Sequence, residues 1–140
     1  MGKHSFWFVL TMAGLISAAI AQSPVPTTQP AAVRTILQRA DVASSPAQET
    51  MMGTVVIAPG SGNPAHTHYG SEIGYMLEGH IRLEVQGQPT RDLGPGDSFM
   101  VPRGVVHRSI LIGSETAKLI STWTVDKGKP LLVPVTPSSQ

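Results

Sequence analysis

Two histidines and a carboxylate stand within seven positions of the chain: His66, His68 and Glu72. On a strand, side chains alternate between faces, so both imidazoles project the same way, roughly 6.5–7 Å apart along the backbone. That separation lets both nitrogens converge on one ion at about 2.0–2.1 Å, the usual zinc–imidazole distance. Glu72 follows a Tyr-Gly-Ser turn and can add an oxygen, and His107, far along the chain, offers a third imidazole. Imidazole and carboxylate together suit one divalent ion of zinc, copper, iron, manganese or nickel. A His-x-His pair alone is more often two unrelated polar residues. Its value here depends on Glu72 and His107 being in register with it.

That register carries a family resemblance. Gly60, His66, His68, Glu72 and Gly79 fill every named position of the first cupin motif, and Gly96, Pro102, Gly104 and His107 fill most of the second. The second motif ends in Asn, where this chain has Leu111. The chain resembles a small cupin, closest in motif to quercetin dioxygenase-like barrels. The resemblance implies an all-β fold, an antiparallel jelly-roll barrel with one divalent metal in its mouth, held by His66, His68, Glu72 and His107. The family Asn is not among the usual ligands, so Leu111 puts only its hydrogen bond in doubt.

The elements that must position these residues read as short strands cut by Gly and Pro turns, the pattern of a barrel or sandwich. Val33 to Val42 suggests an edge strand, with Ile36, Gln38 and Ala40 on one parity, although periodicity alone leaves a short helix open. Thr50 to Ala58 is β-branched and apolar, and reads as a buried strand entering the metal motif. Gly60 to Pro64 must turn. Glu72, Gly74 and Met76 share the inward face of the next strand, and Ile73, Tyr75 and Leu77 the outward one. Glu78-Gly79 reads as a hairpin turn. Ile81, Leu83 and Val85 then alternate with Arg82, Glu84 and Gln86, the clearest period-two segment. Strands follow at Arg91–Leu93, Ser98–Val101, His107–Ile112 and Ala117–Val125. Leu131 to Val135 suggests an outer strand, swapped onto a partner in one arrangement. Trp123 reads as core, Met76 as core or pocket wall, and His80 and Arg103 as solvated.

The first 21 residues read as a secretory signal peptide. Lys3 precedes an apolar run of 16 residues, Phe6 to Ala21, shorter than the roughly 20 needed to span a bilayer. It closes on Ala19-Ile20-Ala21, a small-x-small cleavage site before Gln22. Residues 22–32 carry three prolines and read as a flexible leader, leaving residues 33–140 as one barrel domain. The expected location is therefore periplasmic or secreted, with no membrane attachment after cleavage. The chain has no Cys, so no disulfide staples the exported product. Ten basic and nine acidic side chains leave no electrostatic footprint for nucleic acid.

Three imidazoles and one carboxylate leave coordination positions open to water, dioxygen or a substrate oxygen. This favours a metal-dependent enzyme, dioxygenase-like, acting on a small oxygenated molecule. A non-catalytic module that captures a small ligand or the metal itself is the alternative. The residues do not decide between the two, and they mark no catalytic group beyond the ligands. Loading outside the cytoplasm makes raw affinity count, which favours zinc or copper over iron or manganese. Neutral charge, the absence of disulfides and the outer strand point to a homodimer.

Overall fold

The computed structural model describes residues 31–135, all of them strands, turns and loops. The expected signal peptide, most of the expected leader and residues 136–140 lie outside the described residues, which leave out 1–30 and 136–140. Ten strands form two five-stranded sheets that face each other. They are β1 (Val33–Asp41), β2 (Gln48–Ile57), β3 (Asn63–Thr67), β4 (Gly70–Glu78) and β5 (His80–Val85). The chain continues with β6 (Arg91–Leu93), β7 (Ser98–Val101), β8 (His107–Ile112), β9 (Ala117–Asp126) and β10 (Val133–Pro134). One sheet runs β1-β2-β9-β4-β7 and the other β10-β3-β8-β5-β6, with every named pair antiparallel.

Alternation builds the core. Along β9, Ala117, Leu119, Ser121, Trp123 and Val125 point inward, and along β5, Ile81, Leu83 and Val85 do. Met51, Val55 and Ile57 join them from β2. Each fully buried aliphatic side chain of this kind contributes about 1.5–3 kcal/mol, and this burial stabilises a barrel that has no disulfide. The inward set on β4 is Glu72, Gly74 and Met76, with Ile73 and Tyr75 exposed, as period two requires.

Four local readings are corrected. Glu78-Gly79 is not a hairpin turn, because β4 and β5 belong to opposite sheets. The chain crosses there, and Gly79 takes φ 67° where a Cβ would stand 2.5 Å from the Thr116 carbonyl oxygen. Asn63 and Pro64 open β3 rather than completing a turn, and Gly70 and Ser71 already belong to β4, so the bend between the ligands is His68-Tyr69. The outer strand is shorter than Leu131–Val135, and it pairs within the same chain, Val133 with Thr67 and Pro134 with His66. Finally, β1 is an edge strand and not a helix, but a bulge between Ile36 and Gln38 breaks its parity. Arg34, Ile36 and Arg39 thus lie opposite the inward residues Val55, Gly53 and Met51.

From β2 to β5 and from β6 to β10 each strand lies on the sheet opposite its predecessor, and this topology places the candidate ligands. His66 and His107 face each other as register partners on β3 and β8, while Glu72 comes from β4 in the opposing sheet. Gly70 admits the close approach of β4 to β9, since a Cβ there would lie 1.9 Å from the Thr124 carbonyl oxygen. Gly70→Ala is expected to destabilise the protein by about 1–3 kcal/mol through forced backbone shifts. Ser71→Ala, at a half-buried neighbour, should stay within about 0.5 kcal/mol of the parent. Urea unfolding of the two variants tests this, and equal midpoints would count against the close approach.

Candidate metal centre

His66, His68, Glu72 and His107 are all buried, and one donor atom from each lies within 4.8 Å of the others. The ring centroids of His66 and His107 are 4.2 Å apart, and His68 stands 4.9 and 5.0 Å from them. All four residues predicted from their spacing are thus brought together. His80 is exposed and packs near Gly94, away from the cluster.

Backbone carbonyls set the chemistry of the rings. His66 Nδ1 donates to the Pro64 carbonyl at 2.7 Å, His68 Nδ1 to Leu131 at 2.5 Å and His107 Nδ1 to Val105 at 3.1 Å. A carbonyl only accepts, so each Nδ1 carries the proton and a neutral ring presents a bare Nε2. The Nε2 atoms of His68 and His107 lie 3.0 and 3.2 Å from the same Glu72 oxygen, Oε2. Lone pairs facing one another at that distance need either protons between them or a cation that accepts them all. The donor set therefore fits a divalent ion, with carbonyls orienting the imidazole ligands from behind.

The electrostatics agree. Burial lowers the His66 pKa to about 4, against its hydrogen bond to Pro64 and with the help of the neighbouring His107, His68 and Arg34 charges. Burial works against a charged Glu72, but in the metal-free protein a proton on the Nε2 of His107 or His68, donated to the carboxylate, outweighs it and holds the carboxyl well below the usual carboxylate range, so that proton and ion compete for the same lone pairs. Ser121 Oγ helps hold Glu72 down without reaching full hydrogen-bond geometry, and Ser121 Oγ and Trp123 Nε1 are buried without partners.

Other residues fall into supporting places. Met76 and Trp123 are fully buried, with the Trp123 ring 6.3 Å from His68. Leu111, in place of the motif Asn, is half-buried and packs against the core. Arg103 is exposed but paired: it binds Asp126 and donates to the Tyr69 carbonyl at 2.7 Å, while Gly104 N donates to the His68 carbonyl at 3.1 Å. The bend that leads to His107 thereby also holds the turn after His68. Spacing did not reveal the partly buried Arg34 or the buried Asn63 to which it donates. The pairing of β1 with β2 places Arg34 opposite the inward-facing Val55.

The Cupin domain family matches residues 53–123, half of the chain and all four cluster residues. This chain belongs to the cupin family. The buried three-His, one-Glu cluster is the kind of metal-ion site that cupins carry. Among its relatives, oxalate oxidase 2 of Hordeum vulgare is 29% identical over 69% of this chain and 48% of its own length. Germin-like protein subfamily T member 2 of Arabidopsis thaliana is 32% identical over 71% of this chain and 48% of its own. This cupin thus spans about half the length of the curated relatives it matches. An oxalate oxidase solved with the substrate analogue glycolate superposes with TM-score 0.60 at 26% identity, covering 86% of this chain and 63% of that one. A DMSP lyase from Ruegeria pomeroyi shares the fold, with TM-score 0.63 at 23% identity over 78% of this chain and 54% of that one.

Two outcomes test the centre. His66→Ala and His107→Ala are expected to lose most bound metal after dialysis, and His80→Ala to keep it, as read by elemental analysis; equal metal in all three would reject the ligand set. The second concerns pH. Folded His66 holds its proton only below about 4, against 6.5 for the ordinary group, so the unfolded chain binds more protons between these values. Stability of the metal-free protein should therefore fall as pH drops from about 6.5 to about 4. Thermal melts in chelator check it, and His66→Gln should flatten that window.

Proposed function

We propose that this cupin is an exported, metal-dependent oxidoreductase, dioxygenase-like or oxidase-like, that acts on a small organic acid. Residues 33–140 form its barrel domain, and His66, His68, Glu72 and His107 hold one divalent ion. The observation that carries this reading is the convergence of three Nε2 lone pairs and one carboxylate oxygen inside the barrel, each ring tied by its Nδ1–H to a carbonyl. Four protein donors leave positions on such an ion for a substrate oxygen or dioxygen. The likeness to oxalate oxidases, one of them holding glycolate, supports a small acid as substrate.

When bound, the ion supplies Lewis acidity and, if copper, iron, manganese or nickel, electron exchange with dioxygen. The chain supplies the rest. The carbonyls of Pro64, Leu131 and Val105 fix the ring tautomers. Trp123, Met76 and Leu119 wall the interior and exclude bulk water, which strengthens every charge interaction within it. Ser121 Oγ and Trp123 Nε1 stand ready to donate to a bound oxygen atom. Assembly as a homodimer completes the proposal; of zinc and copper, the ions favoured outside the cytoplasm, copper is the one that supports oxygen chemistry.

The test is elemental analysis of protein exported by its own residues 1–21, followed by oxygen uptake and peroxide assays. Substrates would be oxalate, glycolate, phenols, enediols and diketones. Oxygen uptake with an organic acid, lost in Glu72→Ala, is the expected result. Metal-loaded protein that consumes no oxygen with any of these would replace the enzyme by a non-catalytic binding module.

A further inference from the structure

Arg34 is a partly buried cation inside the barrel that makes no contact ion pair; the charge of Glu72 reaches it only at longer range. Its strand lies at the sheet edge and runs close over Gly53, where a Cβ would stand 2.5 Å from the Thr35 carbonyl oxygen. Arg34 faces inward opposite Val55, and its guanidinium crosses between the sheets. It donates there to the Asn63 side-chain oxygen and, at 3.4 Å, to the Ala32 carbonyl. Both acceptors are neutral. All nine Asp and Glu side chains of the chain lie between residues 41 and 126, and none stands within 4.0 Å of this guanidinium. Glu72 is turned to His68 and His107, and Glu49, Glu84 and Asp126 are paired with Arg39, Arg108 and Arg103.

A partly desolvated charge without a counter-charge is costly. The cost rises beside the cluster, where a divalent ion and one carboxylate would leave a further net positive charge. In the row that joins Gly74, Ser121 and Gly53 across the sheet, close to Glu72, sits the Ser121 hydroxyl, which completes no hydrogen bond. Two positive centres and an orphaned polar group in one interior call for an oxygen-rich anion.

We propose that Arg34 is the specificity-determining residue of this site, receiving a carboxylate of a small dicarboxylic acid whose other end meets the metal centre. The inference rests on the reading of the site as one for small organic acids, and adds the residue that selects charge. A guanidinium suits this task because its planar fork binds a carboxylate through two parallel hydrogen bonds.

The experiment is calorimetric titration of the zinc-loaded wild type, Arg34→Gln and Arg34→Lys with oxalate, malonate and neutral imidazole. Arg34→Gln should bind the better dicarboxylate on the order of 10- to 100-fold more weakly. Zinc content and imidazole affinity should not change, and Arg34→Lys should recover part of the loss. Malonate should also slow modification of Arg34 by phenylglyoxal in the wild type, read by peptide mass spectrometry, whether or not the variants fold. Unchanged dicarboxylate affinity in Arg34→Gln, or unprotected Arg34, overturns the role of Arg34 and leaves the organic-acid reading standing. Equal loss of zinc, imidazole and dicarboxylate makes Arg34 a strut between sheets. A wild type that binds imidazole but neither dicarboxylate overturns the inference and the substrate reading together.

Discussion

The structure depends on four lone-pair donors being held face to face in an apolar interior. His68 and His107 turn their Nε2 atoms to one oxygen of Glu72, with His66 beside them. Unfilled, such an arrangement is unfavourable, because buried donors must share protons or repel. Only a rigid frame keeps it, and the frame is visible in the hydrogen bonds behind the rings. Three carbonyls, from Pro64, Leu131 and Val105, come from three separate chain segments and fix each imidazole in one tautomer.

Those segments explain features that have no chemistry of their own. The terminal strand β10 pairs with β3, so the carbonyl of Leu131 arrives at His68 from 63 residues away. The bend at Pro102–Gly104 holds the His68-Tyr69 turn through Gly104 N and Arg103. Asp126, at the end of β9, completes the clamp by binding Arg103 and donating its own N–H to the Tyr69 carbonyl. An exposed ion pair of this kind is worth little in isolation. Its place here, on a turn between two ligands, gives it a geometric part.

The interior is also sorted by polarity. One wall is apolar, with Met76, Leu119 and Val101, and excludes water. Toward β1 and β3 the lining changes to Arg34, Asn63 and Ser109. Arg34 and Asn63 are bonded to each other there, so this side of the interior carries a charge that the apolar wall does not.

The four clustered donors were legible in the sequence because metal coordination restricts residue type and spacing together. His66 and His68 had to be two apart on a strand, and strict alternation put Glu72 and Met76 on one face. The same period-two rule located most of the strands, including Ile81 to Val85. Alternation is a local property, so it could not say which strands pair. Glu78-Gly79 carries the local signal of a hairpin, and only the opposite sheet membership of β4 and β5 makes it a crossing. Arg34 was hidden for a related reason. One extra residue at the β1 bulge reverses parity between the two halves of the strand, and no composition signal marks it. The tautomers of the three histidines were likewise beyond the sequence, since carbonyls carry no side-chain identity. The chain by itself determined which atoms can bind an ion. The tertiary structure decided which of their nitrogens face it, and which charge waits beside it, because those depend on backbone positions brought together from distant strands.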